Sequence, residues 1–221
     1  MADGAGELPV AIRVLSALLL AAVMLFTLRR MPWEAMFVPG RIQLFLVAVL
    51  ALLLMWGMRA QTLDGLALHF LGMVAVTLVF GWQPAILTAF LVVSVLVLVD
   101  ILPLSAFALT VLLAGVLPVA VTWALLRLIE TRLPPHMFIY LYGVAFLGGA
   151  LSVAATVLVS AAVYGLFTEL AWSDVYRDYL RYLPLLVLPE AVVNGMVITG
   201  LVMVRPEWLA TWSDERYLHG R

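Results

Sequence analysis

An acidic residue stands inside an otherwise apolar segment near the end of the chain. The segment 183–204 contains Glu190, and Asn194 follows one helical turn later, so both lie on one face of a helix. An ionised group near the centre of a bilayer costs about 2.5–3.5 kcal/mol, so it is expected to face a partner or a cavity and not lipid. Two interpretations are open: an interhelical hydrogen-bonded pair that fixes packing, and a contact with a pore or a substrate.

A second group of polar residues lies at the start of the third apolar segment. Asp64 stands just before this segment, and His69 is expected within its first turn or two. An imidazole in this place is either an interfacial or packing histidine or a ligand for a metal, and both readings stay open. Asp100 ends the fourth apolar segment, where an acidic residue is expected to be a solvated helix boundary. His136 and His219 fall in a loop and in the tail, where we expect ordinary solvent-facing side chains.

Several residue types that enzymes and nucleotide-binding proteins need are absent from the sequence. There is no cysteine, which excludes disulfides, cysteine zinc sites, iron–sulfur clusters and thiol nucleophiles. All twelve basic residues are arginine, so no lysine is available for a Walker A loop or a Schiff base. Neither a His-Glu-x-x-His helix nor a Gly-x-Ser-x-Gly elbow occurs. We therefore expect a protein that is not an enzyme and holds no permanent cofactor.

The composition indicates the environment of the chain. Of 221 residues, 66% are hydrophobic and 11% are charged, so too few polar side chains exist to cover a water-facing surface. A bilayer core needs about 20 apolar residues per helix. We predict an all-α polytopic membrane protein, with one integral membrane domain over 1–221, seven spans and an interfacial tail at 205–221. The spans are expected at about 11–28, 42–58, 66–82, 84–101, 105–127, 137–168 and 183–204. The sixth is long enough to be either one helix or a broken pair.

The arginine residues predict the orientation. With seven spans, eight of them fall on one side and four on the other, so the positive-inside rule places the amino terminus outside and the carboxyl terminus in the cytoplasm. The tail contains Trp208, Trp212 and Tyr217, residues that favour the membrane interface. A net charge of −1 gives no basic surface for nucleic acid, so the lipid bilayer of the cell (inner) membrane is the expected surrounding.

Three blocks of sequence together resemble one family. They read Leu68-His-Phe-Leu-Gly-Met-Val-Ala-Val-Thr-Leu-Val-Phe-Gly-Trp-Gln-Pro-Ala85, then Leu113-Ala-Gly-Val-Leu-Pro118, then Pro189-Glu-Ala-Val-Val-Asn-Gly-Met196 with Val204-Arg-Pro-Glu-Trp208. In this order they resemble the CbiM-type cobalt/nickel permeases, the substrate-capture (S) components of energy-coupling factor transporters. The resemblance implies seven spans with an outer amino terminus. It also implies three partners, a transmembrane coupling (T) subunit and two cytoplasmic ATPases.

The resemblance also implies a metal site, from which this sequence departs. Family members that bind Co²⁺ or Ni²⁺ begin Met-His, and that imidazole joins a second histidine from a His-x-x-Gly segment. Here the chain begins Met1-Ala2-Asp3, and His69, three residues before Gly72, matches the second ligand. One imidazole with carboxylates such as Asp3 or Asp64 makes a harder site, less selective for nickel or cobalt.

Three functional hypotheses follow from these residues. The first is capture of a substrate, such as Co²⁺ or Ni²⁺, at an outward-facing pocket formed near Asp64, His69, Glu190 and Asn194, with His69 as the metal ligand. The second is a membrane module without transport activity, in which Glu190 and Asn194 serve packing. The third is a solitary ion-coupled carrier in which Glu190 or Asp100 binds a proton.

Overall fold

Long apolar helices form the molecule. The computed structural model describes residues 7–58, 60–63 and 66–218. Four regions in this part are long and apolar enough to cross a membrane, and two shorter apolar helices accompany them. The protein is therefore an all-α membrane protein in its architecture, with one small addition, a two-stranded antiparallel hairpin. The elements are α1 (Val10–Arg29), α2 (Trp33–Met36), α3 (Arg41–Gly57), β1 (Ala60–Leu63), β2 (Leu66–Leu68), α4 (Met73–Phe80), α5 (Trp82–Leu98), α6 (Leu104–Arg132), α7 (Ile139–Phe167), α8 (Trp172–Asp178), α9 (Leu183–Val204) and α10 (Asp214–Tyr217).

Most helix bounds lie close to the predicted spans. The first, second, fourth and seventh predicted spans each overlap one helix to within a few residues, namely α1, α3, α5 and α9. The fifth span becomes the longer helix α6, and the sixth is one unbroken helix, α7, so the alternative of a broken pair is wrong. Both long helices contain a wider turn with π-type hydrogen bonding, at Val111–Val116 and at Ile139–Phe146.

The predicted third span, 66–82, is wrong as a continuous helix. The hairpin occupies 60–68, and only α4 is helical, at eight residues or about 12 Å, which is too short to cross a bilayer. Glycines mark both of its ends, because Gly72 has φ +65° and Gly81 has φ +90°, a region that other residues rarely adopt. Nearly every residue of α4 is buried, as expected for a helix that is apolar on all sides.

Hydrogen bonds gather several chain segments at one end of the bundle, here called the tail end. Arg41, at the start of α3, donates to the carbonyl oxygens of Val79 (3.0 Å) and Trp208 (3.2 Å). The Gln83 side chain donates to the carbonyl oxygen of Arg30 at 2.9 Å. The tail end therefore holds the ends of α1, α4 and α9 and the starts of α3 and α5.

The segment after α9 packs against the bundle at the tail end. The Thr211 hydroxyl donates to the carbonyl oxygen of Leu78 at 2.9 Å and lies 2.7 Å from the Tyr140 hydroxyl. Arg216 forms an ion pair with Glu130 at 2.8 Å. Trp212 and Tyr217 are buried against Tyr140, so this part of the tail is docked on the helices and does not simply lie along the membrane surface.

Candidate functional site

The segment between the hairpin and α4 carries His69 and is held by Trp56. The indole N–H of Trp56, a residue of α3 that is 1% exposed, donates to the carbonyl oxygen of Leu71 at 3.0 Å. The Trp56 ring also lies against the imidazole of His69, with 5.2 Å between ring centroids. A rigid aromatic side chain thus contacts both the histidine and the backbone two residues after it.

Glu190 of α9 binds the backbone of the same segment. Its Oε2 accepts the N–H of Leu71 at 2.9 Å, and its Oε1 accepts the N–H of Gly72 at 2.7 Å. Asn194 donates to Oε1 of Glu190 at 2.8 Å, and its own Oδ1 accepts the N–H of Ala75 at 2.9 Å. Both side chains are 1% exposed.

These contacts satisfy the amino-terminal end of α4. The first N–H groups of a helix have no partner inside the helix and carry a partial positive charge. A residue of the same segment normally caps them, but at α4 the helix end gives no side-chain cap and the acceptors come from α9. The arrangement explains how a carboxylate can be buried among apolar helices, because three donors offset the loss of hydration.

A cavity of about 220 Å³ lies at the opposite end of the bundle, here called the hairpin end. The wall contains His69 and Leu66 from the hairpin side, the start of α6, the middle of α7 and the turn after α8. Its polar side chains are His69, Thr110, Thr156, Ser160, Tyr164 and Tyr179. The lining is otherwise apolar.

The wide turn Val111–Val116 shapes one wall of this cavity. A π-type turn displaces the backbone carbonyls from their usual helical partners, and such turns often occur at functional sites. The Thr156 hydroxyl of α7 donates to the carbonyl oxygen of Leu113 in this turn at 3.1 Å. The turn also brings Leu113 and Ala114 to the cavity wall.

The predicted site residues that the structure describes are divided between the cavity wall and the start of α4. His69 lines the cavity, whereas its lining contains neither Glu190 nor Asn194, whose polar atoms contact the start of α4. His69 and Glu190 therefore do not line the same cavity wall as expected, and Glu190 instead accepts hydrogen bonds from the backbone N–H groups of Leu71 and Gly72, two and three residues after His69. Asp64, the remaining predicted site residue, lies outside the described residues, as do Asp3 and His219. Asp100 lies exposed at the end of α5, as expected of a helix boundary.

Metal ligands are sparse in the part of the chain that the structure describes. Within residues 7–58, 60–63 and 66–218, no group of three or more His, Cys, Asp or Glu side chains could hold a metal ion. The cavity itself offers one imidazole and several neutral hydroxyls.

A comparison with models of known protein families identifies the family of this chain. The family model CbiM, described as the cobalt uptake substrate-specific transmembrane region, matches residues 3–208. The chain belongs to the CbiM family. No curated protein and no solved structure matches it. The resemblance drawn from the three sequence blocks is thereby confirmed, and membership of a transport family agrees with the expectation that the chain is not an enzyme.

Sequence reasoning missed most of the cavity wall of this CbiM chain. Ser152, Thr156, Ser160 and Tyr164 recur at every fourth position of α7, which places four hydroxyl groups on one helical face. Three of them line the cavity, and Ser152 instead lies 3.2 Å from the hydroxyl of Thr122 on α6. This periodic pattern is the signal that identifies α7 as a wall of the cavity.

Proposed function

We propose that this chain is the substrate-capture (S) component of an energy-coupling factor transporter whose substrate is a divalent transition metal, Co²⁺ or Ni²⁺. The observation that carries the proposal is the placement of His69, in a chain of a cobalt uptake family, at the wall of a cavity near one end of the bundle. Imidazole nitrogen suits Co²⁺ and Ni²⁺ well. Further ligands would have to come from outside the described cavity wall, and Asp64 stays a predicted contributor.

The same proposal includes seven crossings. The ends of α1, α4 and α9 lie at the tail end with the starts of α3 and α5, so the chain alternates direction between them. In this scheme the third crossing consists of the hairpin, the segment 69–72 and α4. Most arginines of the described part, including Arg30, Arg41 and Arg216, lie at the tail end, which supports a cytoplasmic tail end and an outward-facing cavity in the cell (inner) membrane.

Transport also needs partners in this proposal. A transmembrane coupling subunit and two cytoplasmic ATPases supply the energy, because the chain has no lysine and no nucleotide-binding loop of its own. The chain binds the metal from outside, and reorientation of the whole domain by these partners releases it inside.

Uptake of radioactive Co²⁺ or Ni²⁺ tests the function. Cells expressing the chain with a coupling subunit and paired ATPases from its own genomic neighbourhood are expected to accumulate metal, and His69→Ala is expected to abolish this accumulation. His136→Ala is the matched control, since it removes an exposed imidazole in the loop between α6 and α7. Equal accumulation by wild type and His69→Ala would exclude His69 from metal capture.

Single-cysteine labelling tests the orientation. The chain contains no cysteine, so each introduced thiol is the only one. Ser173→Cys, exposed in α8, is expected to react with an impermeant maleimide on intact cells, whereas Thr131→Cys, exposed at the end of α6, is expected to react only after the membrane is opened. The reverse pattern would show that the cavity faces the cytoplasm.

A further inference from the structure

The segment that carries His69 is fixed from two helices that are far apart in the sequence. Trp56 of α3 binds the carbonyl oxygen of Leu71, and Glu190 of α9 binds the N–H groups of Leu71 and Gly72. Both backbone polar groups of Leu71, its N–H and its carbonyl oxygen, are therefore held by buried side chains. His69 is two residues away, and only Phe70 separates it from this anchor.

We propose that Glu190 and Asn194 are positioning residues for His69. They hold the backbone after the histidine, so that its imidazole stays at the cavity wall, and they do not bind the metal themselves. This inference rests on the proposed function, in which His69 takes part in metal capture.

The hydrogen bonds of Glu190 favour this role over direct ligation. An ionised carboxylate has about four acceptor positions, and three donors already occupy the Glu190 side chain: two backbone N–H groups and the Asn194 amide. Oε1 already accepts two of these donors, so a metal ion on it would displace either the Gly72 N–H at the start of α4 or the Asn194 amide, and Oε2 retains one acceptor position. The cavity lining, which contains His69, does not contain Glu190.

Glu190→Gln is the sharpest perturbation, because it keeps the size of the side chain. The glutamine oxygen can still accept the Gly72 N–H, but the new NH₂ group faces the Leu71 N–H, and two donors repel each other. We expect the 69–72 segment to move while the helices remain packed. Asn194→Leu, which removes the acceptor for the Ala75 N–H, is expected to act in the same direction.

The first measurement is metal affinity. Titration calorimetry of the purified full-length chain with Co²⁺ or Ni²⁺ alone is expected to show an affinity lower by about 10–100-fold in Glu190→Gln, the range typical for groups that orient a metal ligand. Thr122→Val is the matched control, since it also removes a buried polar contact but lies on α6, where its hydroxyl contacts Pro118 and Ser152. Its affinity is expected to equal that of wild type.

The second measurement does not depend on metal. His69→Cys provides a single thiol whose maleimide labelling rate reports how firmly the segment is held. The rate is expected to increase several-fold when Glu190→Gln is added, and not when Thr122→Val is added. Thr88→Cys, at a fully buried position of α5, is expected to stay unreactive in every background, which shows that the change is local.

The two measurements separate failure of this inference from failure of the proposed function. If wild type binds neither metal, the proposed function fails, and the labelling rates alone decide on positioning. An unchanged labelling rate in Glu190→Gln overturns the inference. An unchanged metal affinity in Glu190→Gln, with wild type binding, also overturns it.

Discussion

A close approach between α5 and α6 gives a prediction that can be worked out in free energy. Gly115, in the wide turn of α6, packs directly on Ala89 of α5, and both residues are buried. A Cβ at Gly115 would overlap the Cβ of Ala89 and lie 3.9 Å from its Cα. Neither atom belongs to a flexible side chain, so the overlap can be relieved only by moving a helix.

Gly115→Ala sets two effects against each other. Alanine gains about 1 kcal/mol of helix propensity over glycine, whereas overpacking typically costs about 1–3 kcal/mol. Because the Ala89 methyl group cannot rotate away from the new Cβ, we expect the overlap to exceed the gain in propensity, and the variant is expected to lose about 1–2 kcal/mol of unfolding free energy. Ala89→Gly alone is expected to cost about 2 kcal/mol, from lower helix propensity and a methyl-sized void.

The double variant tests whether residues 89 and 115 are in direct contact. Ala89→Gly with Gly115→Ala exchanges the methyl group between the helices, so the propensities cancel and the volume is kept, and its stability is expected within about 1.5 kcal/mol of wild type. If the two sites were independent, the losses of unfolding free energy in the single variants would instead add to about 3–4 kcal/mol. Denaturant unfolding of the purified chain in detergent micelles, followed by circular dichroism, measures all four proteins. An additive result would refute the close approach of α5 and α6.

Three further predictions concern the site segment and the tail. Gly72→Ala is expected to lower the free energy of unfolding by about 1–2 kcal/mol, because position 72 has a left-handed backbone at φ +65°. A further loss is expected because the new Cβ would lie 2.8 Å from the Leu52 side chain. Unfolding in detergent measures this change. Thr211→Val removes the hydroxyl that contacts the Leu78 carbonyl and the Tyr140 hydroxyl. The docked tail is expected to loosen, so trypsin should cleave faster at Arg216. Thr131→Val, on α6, is the control and should leave the cleavage rate unchanged. Burial, together with the negative charge of Glu130, raises the pKa of Tyr217 from its ordinary value of 10.0 to about 12. The neutral phenol therefore stabilises tail docking fully below pH 10, and this contribution is lost as the pH rises through about 12. The chain has seven tyrosines, so the signal of Tyr217 is the difference between the absorbance titrations of wild type and Tyr217→Phe; a transition near pH 10 in that difference would contradict the docked tail.

The apolar runs of the sequence predicted most of the helices, because a helix that crosses a bilayer must be long and continuously apolar. The third run failed because apolar composition does not distinguish a crossing helix from a hairpin, a short extended segment and a short helix. Gly72 and Gly81 are the local signals of the breaks. Their meaning depends on backbone angles that composition does not reveal.

The site was predictable in parts. The cost of a buried acid drew attention to Glu190 and Asn194, and of the two interpretations the one that assigns them hydrogen bonds between helices matches their contacts with the start of α4. Their partners, the backbone N–H groups of Leu71, Gly72 and Ala75, are more than a hundred positions away, and backbone groups leave no sequence signal. The cavity was missed because neutral hydroxyls are inexpensive in a membrane helix, so their presence in α7 does not by itself indicate a site.

The remote cap on α4 has a consequence for biosynthesis. Residues 60–80 leave the ribosome long before α9, so the amide groups at the start of α4 have no carboxylate to bind when the first half of the chain enters the membrane. Unpaired backbone groups are costly in hydrocarbon. The segment 69–72 and α4 are therefore expected to reach their final position only after the last helix has been inserted, and truncated chains that end before residue 190 are expected to keep this segment at the water boundary, open to proteases.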